Sequence, residues 1–439
     1  MTASNSVTER NWFGVLPRTW AATPLKYLAS FLPGGTPDTD NSQYWSSDHE
    51  IPWVAVGDMS GRVEVTQTKK ALTTLGMQSK RLQVGDPGTI LFAMYASVGE
   101  VAVLATTATW NQAILGIRSH EDICRTMYLY YFLTTLKNVL PLLYRSNTQN
   151  NLNADQVENL VVPLPPTALQ DDIIRFLDRE TAKIDALVAK QEQLIATLQE
   201  DRIATITQAV TKGLRKESCE VSKTPYLDSH PKSWVPTKLK YHASVQTGIT
   251  LGKSAEVDRS VALPYLRVAN VQAGSVNLAE VKELAVNRSD VSSYLLRAGD
   301  VLMTEGGDID KLGRGCVWNG EIDPCIHQNH IFAVRCGESL TSKFLVYLLE
   351  TAHARDYFML TAKKTTNLAS TNSTTLKALP IALPTVLEQA EIVEFLDGRA
   401  DRFKQLTSAA AAIIERLREY RAALITDAVT GKIDLREMV

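Results

Sequence analysis

Side chains able to do chemistry are present in this chain, but they do not assemble. Gly248-Ile249-Thr250-Leu251-Gly252-Lys253-Ser254 has the glycines, lysine and hydroxyl of a phosphate-cradling loop, yet it is one residue short. Cys316, Cys325, His327, His330 and Cys336 could ligate zinc, but they lack the tight paired spacing of such sites. Transfer of a methyl group to a base amine would need an Asn/Asp-Pro-Pro-aromatic loop. The only Pro-Pro pair, Pro165-Pro166, follows Leu164. Glu280-Val281-Lys282 resembles the end of a nuclease motif without its acidic partner. No nucleophile stands with a base, so the expectation is a chain without catalytic residues, metal or cofactor.

What remains is a set of polar and basic residues on loops. Asn and Gln can bond adenine edges in pairs, Arg can do so with guanine, and basic side chains neutralise phosphates. In the first half these are Arg62, Lys69, Lys70, Lys80, Arg81, Tyr95 and Ser97, with Arg145, Asn147, Thr148, Gln149 and Asn150 on one loop. In the second half they are Lys253, Arg267, Asn270, Lys311, Arg314, Lys363, Lys364 and Asn367. Such residues could meet a nucleic acid. With a net charge of -2 the chain has no basic excess with which to hold it alone.

The elements that position these residues are written twice. Shifted by 219 positions, Leu164-Pro165, Gln170, Ile173 and Phe176-Leu177-Asp178 reappear as Leu383-Pro384, Gln389, Ile392 and Phe395-Leu396-Asp397. Upstream, Pro17, Trp20 and Leu25-Lys26-Tyr27 match Pro231, Trp234 and Leu239-Lys240-Tyr241. Between these anchors the copies diverge. A common frame with different middles is expected of one scaffold that carries two different recognition surfaces.

Each copy reads as a mixed α/β module followed by a long helix. Short apolar runs (Ile51–Val56, Thr89–Ala93, Val101–Leu104 and Ala113–Ile117; then Leu263–Val268, Asp300–Thr304 and Ile331–Val334) are bounded by Gly, Pro and Asp. Helices are expected over Met127–Leu136 and Ser342–Thr351. Proline-rich exits, Val162 to Pro166 and Leu379 to Pro384, should stop each module. The segments after them are almost free of Gly and Pro.

Three-four spacing predicts coiled-coil seams at Ile184, Leu187, Leu194 and Leu198, and at Phe403, Leu406, Ile413, Leu417, Tyr420 and Leu424. Ile195, Ile206 and Val210, with Ile414, Ile425 and Val429, add apolar surface outside those seams. The boundaries read are 1–161 and 217–380 for the modules, and 162–216 and 381–439 for the helical spacers. No apolar run is long enough to cross a membrane, and reduced thiols suit a cytoplasmic location.

These features resemble the specificity subunits of type I restriction–modification enzymes. The resemblance rests on Gly34-Gly35-Thr36-Pro37, Tyr44-Trp45, Ile51-Pro52-Trp53, Asn111-Gln112, Thr148-Gln149 with Asn151-Leu152, and the twice-used Leu-Pro…Gln…Phe-Leu-Asp helix opening. It implies two α/β target-recognition domains joined by two long antiparallel helices with pseudo-two-fold symmetry. It also implies a non-catalytic subunit that reads a bipartite target in double-stranded DNA. The expected partners are two DNA methyltransferase subunits, and restriction subunits in the complete enzyme. A coiled-coil scaffold without DNA contact is the alternative from another class.

Overall fold

The computed structural model describes residues 13–95, 97–143, 151–250, 260–307, 312–364 and 369–433. The chain divides into two compact units, residues 1–191 with 412–439, and residues 192–411. Each unit therefore holds one globular module, half of the first long helix and half of the second.

In the first unit a five-stranded sheet has the spatial order Ala29–Pro33, Ile114–Ser119, Ile90–Ala93, Val101–Leu104, Glu64–Val65. Its inner strands read as unbroken apolar runs because both faces are covered. Ile90, Phe92, Val101 and Val103 face a core shared with Tyr128, Leu129 and Phe132 of the helix Thr126–Leu143. Leu91, Ala102 and Leu104 face a second core around Trp110, Val54 and Met59. A four-stranded sheet, Trp45–Ser46, Lys70–Leu72, Ile51–Val54 and Thr109–Trp110, completes the module.

The second unit repeats this plan. Strands Ala243–Thr247, Ile331–Cys336, Val301–Thr304 and Gly315–Val317 form one sheet; Lys282–Asn287, Ser260–Leu266 and Ile326–His327 form another. The expected proline stops are themselves strands. Val161–Leu164 pairs antiparallel with Ala21–Pro24, and Pro380–Leu383 with Val235–Lys238. Proline is tolerated because each ladder has only two strands, so every residue lies on an edge.

The long helices span Thr167–Lys212 and Val386–Val429, 46 and 44 residues. At ~1.5 Å per residue each is about 65–70 Å long. In both copies the same glutamine fastens the helix start to its module. The Gln170 Oε1 accepts the Arg125 N–H at 2.8 Å, and its Nε2 donates to Ile123 O and Pro165 O, both at 2.9 Å. Gln389 repeats this with Thr341 N–H, Ser339 O and Pro384 O at 2.9, 2.8 and 3.2 Å.

A tyrosine–aspartate pair follows about two turns later. Tyr131 donates to Asp178 at 2.5 Å, and Tyr347 to Asp397 at 2.6 Å. Burial, then the aspartate, pushes both phenols up. Burial pushes the Asp397 carboxyl up, but Lys343 and Tyr347 together hold it below its ordinary value.

The expected seams are rotated. Ile184 and Leu424 are buried, and Leu198, Phe403 and Leu417 are half-buried. Leu187, Leu194 and Leu406 are each 45% exposed, Ile413 44% and Tyr420 58%. The residues that complete the seam lie four positions on from the shared set, not three. They are Val188, Ile195 and Arg202 on the first helix, and Thr407, Ile414, Arg421 and Ala428 on the second.

Two arginines on this face hide the pattern in the sequence. Arg202 pairs with Glu350 at 2.6 Å, and Arg421 with Asp185 at 2.9 Å, so each sits in the seam without leaving a charge unpaired. Ile206, Val210, Ile414, Ile425 and Val429, expected outside the seams, are buried.

Candidate nucleic-acid interface

In the first module the residues gather around the loop Gly34-Gly35-Thr36-Pro37. A Cβ on Gly34 would lie 2.1 Å from the Asn111 carbonyl oxygen, so only glycine lets the two backbones meet. Gly35 N–H donates to Trp110 O at 2.9 Å, and the Trp53 indole donates to Gly35 O at 3.0 Å. The Thr36 hydroxyl donates to the Gln112 amide oxygen. Trp45 meets Trp53 edge to face at 5.1 Å, and the Lys70 ammonium lies 5.0 Å from the Trp45 ring centre. Lys80 lies beside Gly35. The loop thus carries an aromatic pair flanked by two exposed cations.

Lys69 and Arg81 are exposed next to this group in sequence, Arg81 with a left-handed φ of 50°. Tyr95 and Ser97 follow Met94, whose N–H donates to Ala113 O at 2.7 Å, one residue from Gln112. Arg62 lies elsewhere. It lines a cleft of about 320 Å³ with Glu100, Lys137, Asp185 and Arg421. Arg145, Asn147, Thr148, Gln149 and Asn150 lie outside the described residues.

In the second module Gly248 makes the same approach. Its Cβ would meet His327 O at 2.0 Å, while Ile249 N–H donates to that oxygen at 2.9 Å. Ile249 is buried, so this part of the glycine-lysine-serine segment is a core turn. Asn270 is not available to a base. It is 4% exposed, its Oδ1 accepts the Arg267 N–H, and its Nδ2 donates to Asn277 O and Glu280 O. It caps a tight turn, as Asp58 does in the first module. Arg267 pairs with Glu280 at 3.1 Å. Arg314 is half-buried, and Lys363 is exposed on a short strand paired with Ser370. Lys253, Lys311, Asn367 and the Lys364 side chain lie outside the described residues.

Burial pushes the thiols of Cys124, Cys316 and Cys325 up to about 12, and that of Cys336 to about 11, so they stay neutral. Among the described residues no three His, Cys, Asp or Glu side chains are grouped to hold a metal ion, and no helix is long and apolar enough to cross a membrane.

Residues 17–196 match the family model described as the type I restriction modification DNA specificity domain. The likeness to curated relatives extends further. The EcoKI specificity subunit of Escherichia coli (strain K12) is 23% identical over 436 residues, covering 96% of this chain and 90% of the relative. Over nearly its whole length the chain is similar to a type I specificity subunit. The StySPI specificity subunit of Salmonella potsdam is 23% identical over 439 residues with the same coverage. The fold agrees with a solved chain reported under the structural basis of complex assembly and conformational transition of the type I R-M system. The TM-score is 0.65 at 20% identity, covering 95% of this chain and all of the other.

The residues missed in the sequence are the aromatic pair Trp45 and Trp53, and in the second module Glu305 and His330. Trp45 and Trp53 stand inside quoted motifs, but nothing in their spacing signals that their rings meet.

Proposed function

We propose that this chain reads a bipartite duplex DNA target for a type I restriction–modification complex and takes no catalytic part in it. Each unit reads one half of the target. In the first, the Gly34–Pro37 loop with Lys70, Lys80, Tyr95 and Ser97 faces DNA; in the second, the region of Lys363 does. The support is the repeated frame with divergent middles. The same strands and the same glutamine clamp recur at Gln170 and Gln389, while the loops they carry differ in chemistry.

Two methyltransferase subunits dock through the long helices, and restriction subunits join that core. The support is a repeated exposed surface. Leu187 and Leu194 on the first helix correspond to Leu406 and Ile413 on the second, and all four are open. One surface displayed twice suits two copies of one partner, and partner lysines and arginines supply the cationic grip that a net charge of -2 lacks.

Methylation-aware sequencing of cells with and without the gene tests the reading. A two-part methylated motif should vanish on deletion and return on complementation. Methylation that persists unaltered without the gene would sink it.

A further inference from the structure

The two modules are differentiated at one framed spot. In the first, Met94 N–H donates to Ala113 O at 2.7 Å and Leu152 N–H to Met94 O at 3.0 Å. In the second, Glu305 N–H donates to His330 O and Thr371 N–H to Glu305 O, both at 2.8 Å. The backbone bonds are the same, so the positions correspond. The side chains change from Met, Ala and Leu to Glu, His and Thr. Three neighbouring positions have turned from apolar to polar on an unaltered frame.

Two of the three polar side chains reach the surface. The Glu305 carboxylate accepts from His330 Nδ1 at 2.6 Å through Oε2, which leaves Oε1 open; the side chains are 29% and 54% exposed. The strand after Glu305, Gly306–Gly307, pairs with Ala369–Ser370, and Ser370 also pairs with Lys363. The Thr371 hydroxyl is buried without a partner. On the proposed DNA-facing surface near Lys363, a carboxylate is repelled by the DNA backbone. Its free oxygen suits a hydrogen-bond donor, and of the amino groups in the major groove the one a carboxylate pairs with is that of cytosine, adenine being the partner of Asn and Gln.

Resting on the proposed DNA-reading role, we infer that Glu305, held by His330, reads one C·G pair in the second half of the target. Glu305 accepts from the cytosine amino group, and His330 fixes the carboxylate in place. Met94 and Ala113 give the first module no such contact. The two halves of the target therefore differ at this position.

The test uses the whole complex in cells. Glu305→Gln keeps the shape and removes the charge. Near-cognate sites that differ at one C·G pair of the second half should become methylated, with discrimination there falling about five- to 150-fold. The first half should stay as it was, which also shows that the subunit is folded. His330→Gln should relax the same position, and it supplies the reading should Glu305→Gln fail to accumulate. An unchanged motif in both variants overturns the inference, as does a change confined to the first half or to an A·T pair. Either result, with methylation still dependent on the gene, leaves the DNA-reading role standing.

Discussion

Gln170→Leu removes one side chain and three hydrogen bonds at once. The residue is fully buried, and its amide is the partner of Arg125 N–H, Ile123 O and Pro165 O. Leucine fits the volume but offers none of these bonds. Each backbone group stripped of its partner in a dry site costs about 1–3 kcal/mol. Water can reach some of them after a small shift, so the expected loss is about 3–6 kcal/mol, a large part of a domain's ~5–15 kcal/mol. The damage should stay in the first unit, because every partner lies there.

Urea denaturation of the purified subunit, followed by hydrogen exchange along the chain, reads both size and place. Protection should fall in residues 13–143 and hold in 230–350. Gln389→Leu should give the mirror result. A loss under about 1 kcal/mol, or equal loss of protection in both units, would refute the clamp.

Three other outcomes are expected. His327 is buried and held down to about 4 by that burial, against 6.5 unfolded, so the unfolded state takes up the proton first. Stability present above pH 6.5 should drain away towards pH 4, by about 3 kcal/mol at most, and only in the second unit, since Trp110 stands at the matching place. Thermal melts across that pH range with and without His327→Gln check it, and a slope that persists in the variant refutes it. Gly398 lies within the second long helix with nothing within 4 Å of an added Cβ, so Gly398→Ala should stabilise by about 0.5–1 kcal/mol in a urea titration. Replacing Leu187, Leu194, Leu406 and Ile413 by alanine should leave the melt of the lone subunit within about 0.5 kcal/mol per site but cost methyltransferase co-purification.

The strands covered on both faces were legible because burial removes alternation, so Ile90–Ala93 and Val101–Leu104 stand out as apolar blocks. The long helices were legible from the absence of breakers. The face they bury was not. On a helix the residues three and four positions on from a seam residue are both its neighbours, and here both sets are apolar in places. The deciding members, Arg202 and Arg421, look like surface residues until Glu350 and Asp185 are seen beside them. Asn270 misled for a related reason. An asparagine reads as a base-binding side chain unless one knows that the turn on either side consumes its amide. The pairing of Glu305 with His330 spans 25 positions and leaves no periodic trace.

The first long helix ends at Gly213, in a left-handed conformation with φ 76°, against Trp234 of the module that follows it. The second ends near Gly431, φ 73°, against Pro17 and Trp20 of the module that opens the chain. The end of the second long helix therefore packs on residues 17–20, just as the end of the first packs on Trp234. Each unit is assembled from two stretches far apart in the sequence, and each module is packed by the end of the helix that follows the other module. The loops of one module can therefore change without disturbing any strand order in the other, since among the described residues no sheet is shared between the two.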